Sequence, residues 1–253
     1  MFTGMQSMGA NDRMCEQLED RRLLSASLVS GVLTVKGTTS EDSIVVSLMN
    51  GDATKLEVNV NSVTSDFALS AVTKVVVYGS DGADVIKVDN LFGVVPLGMI
   101  FKGGDGNDLL IGGNRIDELL GGLGEDELRG LAGNDILNGE DGLDKLVGSA
   151  GADLLLGGLD ADLLMGGAGS DILKGGFGDD LLEGGAGLDS LFGNDGLDHL
   201  MGELDADLLD GGLGDDIVDG GAAVDRLIGG LGSDEFIWDK LIELIDNTID
   251  DIF

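Results

Sequence analysis

The sequence is poor in the side chains that usually build a metal or catalytic centre. It holds one cysteine, Cys15, and one histidine, His199. A zinc site needs several such ligands and a disulfide needs two thiols, so neither is available within one chain. Proline occurs once, at Pro96, and aromatics make up 4% of the residues. Forty-five glycines with a single proline exclude a collagen-like chain. No apolar run reaches the ~18 residues of a membrane-spanning helix. The longest candidate, Val94 to Phe101, is interrupted by Pro96 and Gly98. Bases are also scarce: 14 Lys and Arg stand against 48 Asp and Glu, a formal net charge of −34. Such a surface repels nucleic acid and anionic membranes, so no nucleic-acid partner is expected. Yet 43% of the residues are hydrophobic and the mean hydropathy is +0.20, unlike a disordered acidic chain. An apolar, acidic, glycine-rich chain needs many tight turns and many cations.

The charge and the glycine are concentrated in one part of the chain. Residues 1–102 hold 9 glycines and a net charge of −4; residues 103–253 hold 36 glycines and a net charge of −30. From Gly103 to Ile237 the chain divides into fifteen nine-residue units with no insertion or deletion. The first is Gly-Gly-Asp-Gly-Asn-Asp-Leu-Leu-Ile (103–111), and the ninth is Gly-Gly-Phe-Gly-Asp-Asp-Leu-Leu-Glu (175–183). Position 1 is Gly and position 6 is Asp in all fifteen, and position 8 is always apolar, from Leu110 to Phe236. Position 2 is Gly in ten units and position 4 in eleven, so every glycine after residue 102 lies on this template. Fixed self-similarity of this kind marks a repeat architecture.

Each unit reads as a six-residue turn and a three-residue strand. Glycines at positions 1, 2 and 4 are expected to let the backbone enter φ > 0. Position 8 points inward as the core, while positions 7 and 9 form an outer face that tolerates Glu, Lys, His and Arg. Two units make one 18-residue coil with a strand on each side. Strands stack at ~4.8 Å, so the repeats would form a rod roughly 36 Å long. Units n and n+2 then lie one above the other, and their position-6 carboxylates form two vertical ladders. An Asx-type turn role could account for a few of these aspartates. It does not account for fifteen of them with no Asn or Ser among them. Carboxylates stacked at ~5 Å repel unless a cation lies between them. A hard cation that takes six to eight oxygens suits that gap, and Ca²⁺ fits better than Mg²⁺, which demands a stricter octahedron.

The unit Gly-Gly-x-Gly-x-Asp-x-apolar-x resembles the nonapeptide of the RTX (repeats-in-toxin) calcium-binding family. The resemblance covers residues 103–237. It implies an all-β fold, a parallel β-roll or β-solenoid of two nonapeptides per coil, with calcium between stacked turns. The side-chain ligands it implies are Asp108, Asp117, Asp126, Asp135, Asp144, Asp153, Asp162, Asp171, Asp180, Asp189, Asp198, Asp207, Asp216, Asp225 and Asp234. Pairing units n and n+2 gives thirteen sandwiched sites. Some units depart from the template. Position 4 is Arg115, Asp160, Asp205 or Ala223 in four units, and position 2 is Leu131, Glu140, Ser149, Asn194 or Glu203 in five. Arg115 is the most disruptive, because it brings a positive charge toward a cation site. Even-numbered units hold most departures, so the odd ladder should bind calcium better. Roughly eight to eleven Ca²⁺ are expected in all.

The flanks read differently. Residues 27–102 alternate apolar and polar side chains as short strands do, at Leu33 and Val35, at Leu56, Val58 and Val60, and at Val75 and Val77. Gly79 to Lys87 is a near match to the nonapeptide, with Asp84 at position 6; Gly37 to Val45 keeps only the Gly, Asp42 and Ile44. This region is expected to continue or cap the solenoid, with Asp84 a candidate ligand and Asp42 not. Within residues 1–26, Leu18-Glu19-Asp20-Arg21-Arg22-Leu23-Leu24 resembles the bacterial LEPR-x-LL sorting motif, with Asp20 in place of its proline. In residues 238–253, Leu241, Ile242, Leu244, Ile245, Ile249 and Ile252 fall at helical spacing, as in an amphipathic cap.

An enzyme is disfavoured. There is no His-Glu-x-x-His motif, no Gly-x-Ser-x-Gly elbow and no EF-hand loop. Residues 103–237 contain no threonine, so a regular threonine row for ice binding is absent. The pattern points to a calcium-binding structural protein, exported or at the cell surface, that folds when calcium loads the repeats. Adhesion to an extracellular protein or glycan is the alternative.

Overall fold

The apolar residue at position 8 of each unit sets the architecture, because it must leave water once per nonapeptide. A computed structural model describes residues 25–237. Successive units contribute strands alternately to two sheets, of 11 and 12 strands, that face each other across the core. Leu119 pairs with Leu137, Leu137 with Leu155, and Leu155 with Leu173, so parallel partners lie 18 residues apart. The other sheet repeats the register through Leu128, Leu146, Leu164 and Leu182. These leucines stack into two columns between the sheets, each at 0% exposure. The fold is therefore an all-β parallel solenoid of two units per coil, as the repeat predicts.

The strands are longer than the sequence suggests. Leu163–Ala168 is typical: six residues that run through positions 7 to 9 of one unit and 1 to 3 of the next. The ladder continues because positions 2 and 3 still pair with the adjacent coil, as in Ser149 with Gly167 and Ala150 with Ala168. The outward face also differs from a polar expectation. Ile136, Leu154 and Ile172 follow one another in register on one sheet, and Ile136 and Ile172 stay 41% and 43% exposed. Outward side chains in adjacent strands cover part of each other, which lets apolar residues persist there half-buried.

The N-terminal strands belong to the same two sheets. Val32–Lys36, Lys74–Asp81 and Met99–Asp105 extend one sheet in parallel. Ser43–Met49 and Val85–Asp89 extend the other. Leu33, Val35, Ile44, Val46, Val75, Val77, Ile86 and Phe101 carry the buried columns to that end of the rod. There the direction reverses. Ser25–Val29 adds antiparallel to one sheet, and the hairpin Asp52–Val60 with Val63–Ala68 adds antiparallel to the other. The reversed strands, the last of them short and alternating in exposure, cover the parallel edges that another solenoid would otherwise extend. Among the described residues there is no α-helix, only a 3-10 turn at Leu69–Ala71. Among the described residues no helix is long and apolar enough to cross a membrane. The sorting-like segment at residues 18–24 and the amphipathic segment at 238–253 lie outside the described residues.

The core column sets a stability expectation. Leu164→Ala removes a fully buried side chain between two stacked neighbours, and such truncations cost about 2–5 kcal/mol. Leu159→Ala, at a position 42% exposed, is expected to cost under 1 kcal/mol. Denaturant unfolding in calcium buffer measures both, and equal costs would contradict this packing.

Candidate functional site

The turn that precedes each strand places the position-6 aspartate. Positions 2 and 4 take φ > 0, as at Gly176 (φ 125°) and Gly178 (φ 125°), and this double reversal swings the chain between sheets. The substituted units keep the conformation: Leu131, Glu140, Ser149, Asn194 and Glu203 at position 2, and Asp160, Asp205 and Ala223 at position 4, all have positive φ. Arg115 is the exception, because neither it nor Gly113 enters that region. Its effect is on the shape of the turn. Position 1 also differs from the expectation: no position-1 glycine has φ > 0. Its constraint is space. A methyl group built on Gly103 would collide with Asp108 Oδ2 and the Gly121 carbonyl oxygen, and one on Gly157 with Asp162 Oδ2 and the Gly175 carbonyl oxygen.

This turn turns the carboxylates inward. The position-6 aspartates from Asp108 to Asp225 are buried, each under 5% exposed, and Asp234 in the last described coil is half-buried. From Asp108 to Asp216 each donates its backbone N–H to Oδ1 of the aspartate one coil further on. One ladder runs Asp108, Asp126, Asp144, Asp162, Asp180, Asp198, Asp216, Asp234. The other runs Asp117, Asp135, Asp153, Asp171, Asp189, Asp207, Asp225. The distances are 2.7–3.0 Å, typical of N–H donors to carboxylate. All fifteen position-6 residues thus sit in these two rows.

The second oxygen of each rung has a different fate. Oδ2 of Asp108, Asp126 and every rung from Asp135 to Asp225 is buried with no hydrogen-bond partner. It faces the position-1 glycine of its own unit and, in most coils, the position-1 carbonyl oxygen one coil on, as Asp126 Oδ2 faces Gly139. Two acceptors therefore converge on a gap that a Cβ could enter only by colliding with both. Buried acceptors without a donor are costly, and a charged one more so. Among the described residues no three acidic, imidazole or thiol side chains cluster. A cation shell here must therefore combine carboxylate with backbone carbonyl oxygens, the mixture that Ca²⁺ accepts. The orphaned Oδ2 and the carbonyl beside it fit that ion.

Asp117 stands apart, because its Oδ2 accepts the Gly113 N–H at 2.6 Å and its Oδ1 the Met99 N–H at 2.6 Å. Position 5 adds an intermittent second row that the repeat does not reveal. Asn107, Asn134 and Asp179 each accept a backbone N–H from the next coil. Its only sequence signal is the scatter of Asn, Asp and Ser at that position.

Burial out of water pushes the ladder carboxyls from Asp108 to Asp225 above the ordinary value of 3.8. Asp108, Asp126, Asp144, Asp171 and Asp180 rise to about 6, and Asp135, Asp198 and Asp207 to about 7. Asp162 rises to about 8, from burial first, with the Asp144 N–H opposing and the Asp180, Asp144 and Asp160 carboxylates adding to it. A carboxyl whose folded value is raised favours the fold when protonated. That stabilisation is fully present below about 3.8 and is lost as the pH rises through about 6 to 8. In EGTA the chain is therefore expected to gain strand signal in far-ultraviolet circular dichroism between pH 8 and pH 4. Loss of structure on acidification over that range would contradict the buried ladder.

A protein-family model described as the RTX calcium-binding nonapeptide repeat (4 copies) matches residues 102–137, 111–146, 138–173, 174–209 and 201–236. No curated protein matches the chain.

Proposed function

The chain belongs to the RTX calcium-binding nonapeptide repeat family, and from this we propose a calcium-loaded structural rod that folds outside the cell. Its stacked repeats bind multiple Ca²⁺. The ligands proposed are the position-6 aspartates with a free Oδ2, namely Asp108, Asp126 and every rung from Asp135 to Asp225, with position-1 carbonyl oxygens from the coil above. The observation that carries this reading is the orphaned oxygen. An asparagine at position 6 would accept the same N–H through Oδ1 and could donate its amide to the facing carbonyl, satisfying both groups without a metal. The chain nonetheless places aspartate there in all fifteen units. Only a cation makes the charged oxygen the better choice.

At low calcium the ladders carry buried, mutually repelling carboxylates, and the repeat region stays unfolded. At millimolar calcium, binding energy becomes folding energy. That suits a chain exported unfolded to the bacterial surface or the extracellular space, and roughly eight to eleven ions would offset most of the repeat charge. Circular dichroism of the full chain, in EGTA at pH 7.5 and then with millimolar CaCl₂, is expected to show a large gain of strand signal. Equal signals in both would overturn the proposal.

A second reading is calcium-dependent adhesion to an extracellular protein or glycan. Two features of the outer face favour it: the apolar row at Ile136, Leu154 and Ile172, and a groove beside Tyr78. The Lys36 and Lys102 ammonium groups lie 5.7 and 5.9 Å from the centre of the Tyr78 ring, a polar and aromatic pairing suited to an acidic sugar. Retention on immobilised hyaluronate, lost in EGTA and weakened several-fold by Tyr78→Ala, is the result expected on this reading. No calcium-dependent retention would remove the acidic-sugar version of it.

A further inference from the structure

The two ladders do not begin where the repeats begin. Followed toward the N-terminus, the first continues past Asp108. The Asp84 N–H donates to Asp108 Oδ1 at 2.7 Å, and the Asp42 N–H donates to Asp84 Oδ1 at 2.7 Å. Asp84 reproduces the geometry of a repeat rung, although 24 residues rather than 18 separate it from the next. It is 1% exposed, its Oδ2 has no partner, and Ser80 and Gly82 supply the two positive φ values (97° and 117°). A methyl group on Gly79 would strike Asp84 Oδ2 and the Gly103 carbonyl oxygen, the same cradle found inside the repeats. Yet residues 79–87 lie outside the matched segments.

Asp42 is built differently. Its Oδ2 accepts the Thr38 N–H at 2.5 Å and the Thr38 hydroxyl at 3.0 Å, and its Oδ1 accepts the Asn61 side-chain amide. Both oxygens are saturated by protein donors. The second ladder ends the same way at Asp117, where Met99 and Gly113 occupy the two oxygens. Asp117 lies inside the repeats and matches the template at position 6. Each ladder therefore closes at its first rung on a carboxylate whose charge is met by hydrogen-bond donors.

We propose that Asp84 holds a Ca²⁺ outside the recognised repeats, and that Asp42 and Asp117 are metal-free end rungs closed by Thr38 with Asn61 and by Gly113 with Met99. This rests on the reading that the orphaned ladder oxygens bind calcium, and it redraws that ladder's limits. The occupied rungs start at Asp84 on one face and at Asp135 on the other. The end rungs need no ion, so the N-terminal strands present a finished surface on which loaded coils stack.

The test is calcium stoichiometry of the full chain, by equilibrium dialysis with atomic absorption, for Asp84→Asn, Asp117→Asn, Asp42→Asn and the mid-ladder Asp198→Asn. Asparagine keeps the Oδ1 acceptor and can satisfy the facing carbonyl, so folding is expected to survive and circular dichroism checks it. Asp84→Asn and Asp198→Asn should each lose one ion, and Asp117→Asn and Asp42→Asn none. An unchanged count for Asp84→Asn, or a lost ion for Asp117→Asn, overturns the inference. No bound calcium in the parent chain, or no loss for Asp198→Asn, overturns instead the reading beneath it. A second measurement needs no change at Asp84. Tyr78, the sole tyrosine, precedes Gly79 in the same strand, so terbium bound to the Trp238→Phe chain should emit on tyrosine excitation. Stoichiometric terbium binding without that emission also overturns the Asp84 site.

Discussion

Everything in the repeat region depends on a carboxylate with one oxygen used and one left over. Oδ1 ties each coil to its neighbour through a backbone N–H, while Oδ2 lies buried against a carbonyl oxygen. The first contact is ordinary protein hydrogen bonding. The second is repulsive until a cation or a proton arrives. Cohesion and instability are thus placed on the same side chain, and under the proposed function the ambient cation decides which of the two prevails.

The glycines answer to two separate constraints, and their tolerance of substitution separates them. At positions 2 and 4 the demand is first conformational, and a methyl group built on the glycine backbone there would also crowd the carbonyl oxygen one coil back. Leu131 and Glu140 meet it at a strain of order 1–2 kcal/mol each, which a long solenoid absorbs. At position 1 the demand is empty volume beside Oδ2, and no side chain can supply it. Hence glycine is invariant there across fifteen units while the other two positions drift.

Much of this was legible in the nine-residue period. The period, read with the resemblance it carries, implies two units per coil, the inward leucines and the two rows of aspartate. The alternating valines and leucines at 33–35, 56–60 and 75–77 likewise mark real strands. What stayed hidden depends on neighbours across coils. Strand length is set by pairing through positions 2 and 3, and nothing within one unit reports it. The saturation of Asp117 depends on Gly113 losing its left-handed turn next to Arg115, and on a Met99 N–H eighteen residues away. The apolar outer row is visible in the sequence at 136, 154 and 172 only once the sheet brings those residues into register.

The register of 18 also governs how such a chain can change length. Gain or loss of two units slides every later strand by one coil and leaves each side chain in its own sheet and its own ladder. Gain or loss of one unit moves every later strand to the opposite sheet. It would bring Ile136, Leu154 and Ile172 to the face that now carries Lys145 and Leu163. Core and ladder survive either event, since position 8 and position 6 are alike on both sides. The outer surface survives only the first. Selection on surface chemistry would therefore count this rod in pairs of nonapeptides, whereas selection on folding alone would count it in single ones.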